Sequence, residues 1–362
     1  MKMKIGILGS RGIPNHYGGF EQFVSHLAPA LVERGARVWV YNSHLHPYRG
    51  SRWKGVNIIR CHDPEDRLGT AGQFVYDFNC IRDSRKRNFD ILLQLGYTSS
   101  SVWFRLLPEG PVVVTNMDGL EWQRSKYSAP VRRFLKYAEK LAVWSSDVLI
   151  ADSEAIRDYL SARYAANAEY IPYGAGIFND PDPATVAAMG LKPKGYFLVI
   201  ARLQPDNHVR EIIEGVQGSS SGMPLVIVGD ASHGFGRMLQ KNYSGRVRFT
   251  GSIYDQKLLN NLRHFSALYF HGHSAGGTNP SLLEAMAARA LICAHDNPFN
   301  RSVLNRNAFY FKSPDDIPGV IRRLTQINPA EYIDNNLRII KAKYNWQLVI
   351  DAYQRLFTRM LT

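Results

Sequence analysis

The alternation of short apolar runs with amphipathic segments of helix length constrains the fold of this chain more than any other feature. In the first half the apolar runs are continuous rather than strictly alternating, which is typical of parallel strands that are buried on both faces. The strands predicted there are Lys4–Leu8, Arg37–Tyr41, Val56–Arg60, Ile91–Leu95, Val112–Thr115, Val148–Ala151 and Glu169–Ile171. Between the first two lies a predicted helix over Glu21–Arg34, which Pro29 should kink and Gly35 should end.

A stretch rich in proline and glycine interrupts this pattern at 174–194, and the pattern then begins again. The strands predicted after it are Tyr196–Ala201, Leu225–Gly229, Val247–Thr250, Ala267–Phe270 and Leu291–Ala294. We therefore predict an α/β protein with two tandem Rossmann-like, doubly wound domains at 1–173 and 195–345, a linker at 174–194 and a closing helix at 346–362. Folds of this kind bind ligands at the carboxyl ends of their sheets, here in the cleft between the two domains.

Composition and charge narrow the range of partners. The chain has 362 residues and a net charge of +13, and its basic excess is spread over both halves. Such a charge favours an anionic membrane surface or a phosphorylated substrate, or it is only a generally basic, soluble surface. No recognised nucleic-acid module is present, so no nucleic acid is expected as a partner.

The cysteines and the apolar runs indicate the cellular compartment in which we expect the protein. Cys61, Cys80 and Cys293 lie far apart and without metal-ligand spacing, which suits a reducing cytoplasm. The apolar run near the N-terminus is too short for a signal peptide, and no stretch approaches about 20 apolar residues. We therefore expect a cytoplasmic protein without a membrane span, whose association with a membrane surface stays open.

The segment GSRGIPNHYGGFEQF, residues 9–23, follows the first predicted strand and raises the question of a phosphate site. The dinucleotide fingerprint GxGxxG is missing, because Arg11 stands where its second close glycine belongs, and a Walker loop is missing as well. What remains is a glycine-rich turn that opens onto a helix N-terminus, where Gly18 and Gly19 could hold an anion or simply make a tight turn. Glu21 beside them could bind substrate hydroxyls or only cap its helix.

A second segment, HGHSAGGTNPSLLEAMA at 271–287, predicts another anion site at a helix N-terminus. Asn279 is a good N-cap and Pro280 fits the first helical position, so a helix is expected from Ser281. The preceding loop residues that could approach the anion are His273, Gly276, Gly277 and Thr278. Glu284 could accept hydrogen bonds from ribose hydroxyls or only stabilise the helix dipole. His271 and His273 could each bind the ligand or be structural.

Arg202 directly follows a predicted strand in the segment VIARLQPDNHVREIIEGV. A guanidinium in this position can neutralise a diphosphate leaving group without a metal ion. An ion pair on the surface is the alternative fate of this side chain.

Together these segments resemble the retaining family-four glycosyltransferases of the GT-B fold, over essentially the whole chain. The resemblance rests on YGGFEQFVSHLAPALVERGARVWVY, ADSEAIRDYL, IPYGA, ARLQPDNH, the block from VRFTGSIYD to NPSLLEAMA, and YNWQLVIDAYQRL. It implies that the closing helix returns toward the N-terminal domain, and that the second domain binds a nucleoside-diphosphate sugar while the first binds the acceptor. RGIPNHYGGFEQF, NMDGLEW and GGTNPSLLEAM further resemble a subgroup of bacterial enzymes described as rhamnosyltransferases of capsule, exopolysaccharide or O-antigen synthesis.

The resemblance implies a set of roles for residues of this chain. The donor-binding residues would be Gly18, Gly19, Arg202, His273, Gly276, Gly277, Thr278, Asn279, Ser281 and Glu284. Asp118 would act beside Arg202 in catalysis, by polarising the acceptor hydroxyl or by holding the donor sugar, unless it only caps a turn. Glu21 and Glu121 are weaker candidates for acceptor binding. No metal and no resident cofactor are implied, and a dTDP- or UDP-sugar is the favoured donor.

Two positions depart from the general family pattern. Gly276 stands where the family carries the first of two glutamates, and Asn207 stands where it carries a lysine in the phosphate site. We expect a different way of holding the donor, with backbone N–H groups at Gly276 and Gly277 contributing more. The alternatives are a sugar-nucleotide epimerase of the same fold and a non-catalytic protein that only binds a sugar nucleotide.

The segment 121–144 combines basic and aromatic residues. Its basic residues are Arg124, Lys126, Arg132, Arg133, Lys136 and Lys140, and Phe134, Leu135, Tyr137 and Leu141 lie among them. This pattern suits a helix on anionic lipid headgroups, at the inner face of the bacterial cytoplasmic membrane, near a lipid-linked oligosaccharide acceptor. An ordinary domain helix with a solvated basic face is the alternative.

Overall fold

The computed structural model describes residues 2–16, 18–124, 127–243, 245–274 and 276–362. By their contacts the described residues fall into two compact units. The first unit runs to Gln123, resumes over Tyr127–Tyr173 and ends with Trp346–Thr362. The second unit consists of Gly174–Asn345 together with Arg124.

The strands match most of the predicted apolar runs. In chain order they are β1 (Lys4–Leu8), β2 (Arg37–Ser43), β3 (Arg52–Trp53), β4 (Val56–Cys61), β5 (Ile91–Leu95), β6 (Val112–Asn116), β7 (Val148–Ala151), β8 (Ala168–Tyr170), β9 (Phe197–Ile200), β10 (Leu225–Val228), β11 (Val247–Gly251), β12 (Leu268–His271), β13 (Ile292–His295) and β14 (Phe309–Phe311). The short strands β3 and β14 were not predicted.

Helices connect the strands. They are α1 (Gly19–Glu33), α2 (Glu65–Leu68), α3 (Gly72–Ser84), α4 (Ala129–Ser145), α5 (Glu154–Tyr164), α6 (Pro183–Ala187), α7 (Val209–Gln217), α8 (Gly234–Asn242), α9 (Gln256–Phe265), α10 (Pro280–Ala287), α11 (Pro298–Leu304), α12 (Asp316–Arg323), α13 (Pro329–Lys343) and α14 (Trp346–Leu361). Pro29 lies inside α1. No helix formed by the described residues is long and apolar enough to cross a bilayer.

Each unit is built on one sheet, and the prediction of two doubly wound α/β domains is confirmed. Within the described chain, the first sheet has the order β3-β4-β2-β1-β5-β6-β7-β8 and is parallel except for the antiparallel β3–β4 pair. The second has the order β11-β10-β9-β12-β13-β14 and is parallel throughout. The strand order therefore reverses between β1 and β5 and between β9 and β12. Ligands bind at such switch points, beyond the carboxyl ends of the strands.

Continuous burial explains why the strands read as apolar runs. Ile5 and Ile7 in β1 are fully buried, and so are Phe197 and Leu198 in β9. Helices cover both faces of a doubly wound sheet, so residues of either parity along a strand leave water. This burial supplies the main favourable free energy of folding for each unit.

The closing helix α14 packs within the first unit. The ring of Trp346 stacks on His26 with 4.3 Å between centroids, and Tyr353 lies 5.4 Å from Phe23. A salt bridge of 2.5 Å joins Arg34 to Asp351. The last helix of the chain therefore completes the domain that the first residues begin.

The segment 174–194, which we predicted as a linker, makes its contacts within the second unit. The backbone N–H of Phe178 donates to the carbonyl of Ala287, and that of Asp182 donates to Oδ1 of Asn261 at 2.8 Å. Its short helix α6 packs against α9.

Candidate functional site

The loop after β9 carries Arg202 at the switch point of the second sheet. The Arg202 side chain is exposed, and its backbone carbonyl accepts a hydrogen bond of 2.6 Å from Nδ2 of Asn207. Asn207 is buried, so its amide shapes the loop instead of reaching a ligand. The departure at this position therefore has a structural role in presenting Arg202.

The loop after β12 is fastened directly to the loop after β9. Ser274 donates from its backbone N–H and from Oγ to the carbonyl of Asp206, at 3.1 and 3.0 Å. A Cβ on Gly272 would lie 2.0 Å from the carbonyl oxygen of Asn207, so only glycine permits this approach. The two loops at the switch point consequently form one rigid element.

The N-terminus of α10 is built as the sequence predicts. Oδ1 of Asn279 accepts from the backbone N–H of Ser281 at 2.9 Å, and Pro280 occupies the first turn. Gly276, just before it, has a φ of +118°, and open space surrounds the position that a Cβ would take. Thr278 is buried, whereas Gly277 is partly exposed. This end of the helix directs a partial positive charge toward the loop.

Glu284 forms a buried ion pair that the sequence analysis did not predict. Its Oε2 accepts from Nη2 of Arg263 in α9, a side chain that is only 1% exposed. The same Nη2 approaches Oγ of Ser281 at 3.4 Å, and Ser281 also shares a 2.9 Å hydrogen bond with the hydroxyl of Tyr269. Arg263 therefore fixes and neutralises the Glu284 carboxylate. Whether that carboxylate binds a ribose stays a prediction.

Four histidines gather at the carboxyl ends of β12 and β13. His271 and His273 stack with 4.5 Å between centroids and 17° between planes, and His208 stacks on His295 at 4.0 Å and 19°. Burial, followed by the positive charge of Arg202, lowers the pKa of His273 to about 3. Burial likewise lowers the pKa of His271 well below its usual value and that of His295 to about 4. His271, His273 and His295 are therefore neutral at neutral pH.

Side chains from the neighbouring strand end fix the backbone at His273. Nδ2 of Asn297 and Nδ2 of Asn300 both donate to the carbonyl of His273 at 3.0 Å. Nδ1 of His208 is 2.8 Å from the carbonyl of Gly272. The loop that carries His273 is therefore held from both sides before any ligand binds.

Arg124 joins this set, although it precedes α4 in the chain. It belongs to the second unit by its contacts, and its charge is among those that lower the pKa of His273. The side chain is half-buried. Our sequence analysis placed Arg124 in a basic surface segment and gave it no role at this site.

In the first unit, polar side chains hold the glycine-rich loop after β1. Oε1 of the buried Glu21 accepts from the backbone N–H of Arg11 at 2.7 Å. Asn42 contacts both the N–H and the carbonyl of Ile13, at 3.1 and 2.8 Å. Glu21 therefore braces the loop that precedes α1, and its role in binding substrate hydroxyls or in capping the helix stays a prediction. Gly18 is the N-cap of α1, and Gly19 is its first residue.

Asp118 lies in the loop after β6, at the carboxyl end of the first sheet. Its φ is +50°, and its backbone N–H donates to Oδ1 of Asn116 at 2.9 Å. Burial and the nearby Asp118 carboxylate raise the pKa of Tyr173. A residue other than glycine with positive φ is uncommon, and such residues cluster at functional sites. Glu121 begins a short 3-10 turn, Glu121–Gln123, and is half-buried.

In the basic segment 121–144, only some of the apolar residues are exposed on the surface beside the basic residues. Leu135 and Leu141 are buried in the first unit, so our interpretation of them as lipid-facing is wrong. Tyr137 and Trp144 are 56% and 65% exposed. The exposed basic residues beside them on α4 are Arg132, Arg133, Lys136 and Lys140. Lys126, also named in that prediction, lies outside the described residues.

Two of the residues that the sequence analysis missed carried a usable signal. Arg263 directly follows Leu262 on the buried side of α9, where a charged side chain needs a buried partner. Asn297 precedes a proline as Asn279 does, and its Oδ1 caps α11 at the N–H of Asn300, so the same N-cap pattern was present there. Over the part of the chain that is described, no group of three or more His, Cys, Asp or Glu side chains is arranged to hold a metal ion.

Two family models and one curated relative match parts of this chain. Residues 188–346 match the family described as Glycosyl transferases group 1, and residues 103–176 match a domain of unknown function, DUF1972. An uncharacterized glycosyltransferase of Methanocaldococcus jannaschii, MJ1069, is 23% identical over 248 residues. That alignment spans 61% of this chain and 61% of the length of the relative.

Solved structures share the fold over the whole chain. Sucrose-phosphate synthase from Thermosynechococcus elongatus has a TM-score of 0.83 at 16% identity, with 99% of each chain covered. Anabaena Alr3699/HepE, solved in complex with UDP-glucose, has a TM-score of 0.75 at 15% identity, with 99% of this chain and 100% of that one covered. These structures show that the chain has the two-domain GT-B fold, and residues 188–346, in its second unit, are similar to the glycosyl transferases group 1 family.

Proposed function

We propose that this protein transfers a sugar from a nucleoside diphosphate to an acceptor hydroxyl, and that its second unit binds the donor. The observation that carries the proposal is the gathering of Arg202, His273 and the N-terminus of α10 at the switch point of a sheet within a group 1 domain. A diphosphate is the ligand that these groups suit, because they combine a guanidinium, an imidazole and the positive end of a helix dipole.

The difficult step of such a transfer is the departure of the diphosphate from the sugar. Arg202 and the positive end of the α10 dipole would stabilise the negative charge that develops on the leaving oxygen. Glu284, held by Arg263, would accept hydrogen bonds from the ribose. These groups can perform the task without a metal ion. Asp118 is our candidate in the first unit for polarising the acceptor or holding the donor sugar.

The donor is proposed to be a UDP- or dTDP-sugar that carries a hexose or 6-deoxyhexose, with rhamnose favoured. UDP is supported by Anabaena Alr3699/HepE, which was solved in complex with UDP and glucose and with UDP-glucose. Rhamnose is supported by the resemblance of RGIPNHYGGFEQF, NMDGLEW and GGTNPSLLEAM to bacterial rhamnosyltransferases. Retention of configuration is supported by the wider resemblance to the retaining family-four glycosyltransferases.

The acceptor is proposed to be a lipid-linked saccharide of cell-surface polysaccharide synthesis, at the cytoplasmic face of the membrane. The exposed basic and aromatic residues of α4 support a membrane-surface location. The net charge of +13 favours an anionic surface in the same way.

A turnover screen tests the proposal. The purified protein is incubated with UDP-glucose, UDP-galactose, dTDP-rhamnose and GDP-mannose, with and without a lipid-linked saccharide extract, and the release of nucleoside diphosphate is followed with and without EDTA. We expect release from one donor, stimulated by the extract and unaffected by EDTA. A free sugar product without an acceptor would indicate an epimerase or hydrolase. Binding without any turnover would leave only a nucleotide-sugar-binding protein.

A further inference from the structure

The stacked pair of His271 and His273 has hydrogen-bonding capacity that the described protein does not use. His271 is 0% exposed, and neither of its ring nitrogens has a hydrogen-bond partner within the described residues. The buried Nδ1 of His273 has none there either. Buried polar groups are nearly always paired, so two such rings beside a loop that can take a ligand call for a functional explanation.

The charges that act most strongly on the pKa values of the pair are positive, although Arg263 is itself paired with Glu284. Those that act on His273 are Arg202 from the loop after β9, Arg124, and His208 at the start of α7. Those that act on His271 are His273 and Arg263 of α9. Together with burial, these groups lower the pKa of both imidazoles, so the free protein holds them as neutral rings next to two guanidinium groups.

A bound diphosphate reverses this balance. Its negative charges offset those of Arg202 and Arg124 and favour the imidazolium form of a ring beside them. An imidazolium then donates a charge-assisted hydrogen bond, which is stronger than that of a neutral ring. His273 is the member of the pair that can reach the ligand, because it is partly exposed and lies in the loop that leads to Gly276, while His271 supports it from behind.

We propose that the His271–His273 pair is a proton-accepting part of the donor site, and that binding of a nucleotide sugar takes up a proton at His273. This inference rests on the proposed function. Its consequence is that donor affinity falls by up to about tenfold per pH unit as the pH rises from the lowered pKa of the free ring toward the pKa of the bound complex, and levels off above it. A histidine that merely packs the loop would give no such coupling.

Isothermal titration calorimetry measures the coupling. The native protein is titrated with UDP-glucose and with dTDP-glucose near pH 6.5, the ordinary pKa of histidine, in buffers that differ in protonation enthalpy. Nucleotide sugars are used because their diphosphate is a diester and has no titrating proton near neutral pH. We expect the observed heat to depend on the buffer, with an uptake of roughly half to one proton.

Variants assign the proton to its site. In His273→Gln we expect the uptake to vanish and the affinity to fall about tenfold. His233→Gln, at an exposed histidine in the same unit, is the matched control and should keep both. If His273→Gln does not fold, the imidazole ¹⁵N shifts of the native protein, recorded with and without the nucleotide sugar, report the same protonation without a variant.

The outcomes separate this inference from the proposed function. Binding with heats that are independent of the buffer, or with unchanged ¹⁵N shifts, overturns the proton uptake and leaves the donor site standing. Failure of every nucleotide sugar, and of UDP and dTDP in a thermal-shift assay, overturns the proposed function and this inference with it.

Discussion

Individual buried residues set the chemistry of the candidate donor site. Arg263 neutralises Glu284 and touches Ser281 at the start of α10, so one side chain links these two candidate donor-site residues. The side chain of Asn207 holds the loop at Arg202 in a similar way, by donating to the Arg202 carbonyl. The candidate residues therefore depend on neighbours that hold them through contacts within the protein.

Replacing Arg263 tests the buried ion pair. In Arg263→Met we expect the second unit to lose about 3–5 kcal/mol of stability, because the Glu284 carboxylate loses its buried guanidinium. Urea unfolding measures the loss. The double variant Arg263→Met with Glu284→Gln removes the uncompensated charge and should recover much of it. A single variant within about 1 kcal/mol of the native protein would contradict the pairing.

Local patterns made part of this site predictable from the sequence. Asn279 and Pro280 predict the start of α10, because the side chain of an N-cap residue accepts a hydrogen bond from a backbone N–H that follows closely in the chain. The pairing of Arg263 with Glu284 joins residues 21 positions apart on different helices, and no local spacing encodes it. The stacking of His208 on His295 depends on the sheet order in the same way.

At the scale of elements, strand ends and helix starts position the candidate residues. β9 and β12 are neighbours in the sheet although 67 residues of chain separate Ile200 from Leu268, and their carboxyl ends bring Arg202 beside His273. The long buried strands could be predicted because both faces are apolar. β3 and β14 were missed, since runs of two and three residues are too short to show a period, and the equally short β8 was predicted only with its range shifted to Glu169–Ile171.

Helix α4 is the element that tests membrane association. Reversing charge in Arg132→Glu with Arg133→Glu should weaken binding to vesicles of phosphatidylcholine and phosphatidylglycerol by roughly 10- to 100-fold, since each basic residue near the surface contributes about 1 kcal/mol. Flotation of the protein with vesicles measures it. Arg322→Glu with Arg323→Glu, two adjacent exposed arginines on α12, is the matched control. Equal losses of vesicle binding in the two double variants would show that net charge alone causes the effect, and would contradict a specific role of α4.

At the scale of the whole molecule, neutral histidines link stability to pH. The pKa is lowered, chiefly by burial, at His46, His264, His271, His273 and His295. In the unfolded chain these groups bind protons below about pH 6.5, whereas the folded protein resists protonation. The unfolded state is therefore favoured progressively as the pH falls from that value toward the lowered pKa values.

The melting temperature should report this linkage. Between about pH 7.5 and about pH 5.5 we expect the free energy of unfolding to fall by roughly 2–5 kcal/mol, with a maximal slope of about 1.4 kcal/mol per pH unit for each fully buried histidine. Differential scanning calorimetry at several pH values measures it. A flat profile over this interval would show that the buried rings do not resist protonation. A saturating donor should change the profile if His273 binds a proton in the complex.

The central claim, that Arg202 and the start of α10 hold a diphosphate, is tested most directly by titrating UDP and dTDP into the native protein and into Arg202→Ala. The account predicts that one of the two nucleotides binds the native protein, with or without EDTA, and that Arg202→Ala weakens this binding by about 10- to 100-fold. Arg210→Ala, at an exposed arginine on α7 of the same unit, should bind as the native protein does. Equal binding by Arg202→Ala and the native protein would contradict the assignment of the donor site.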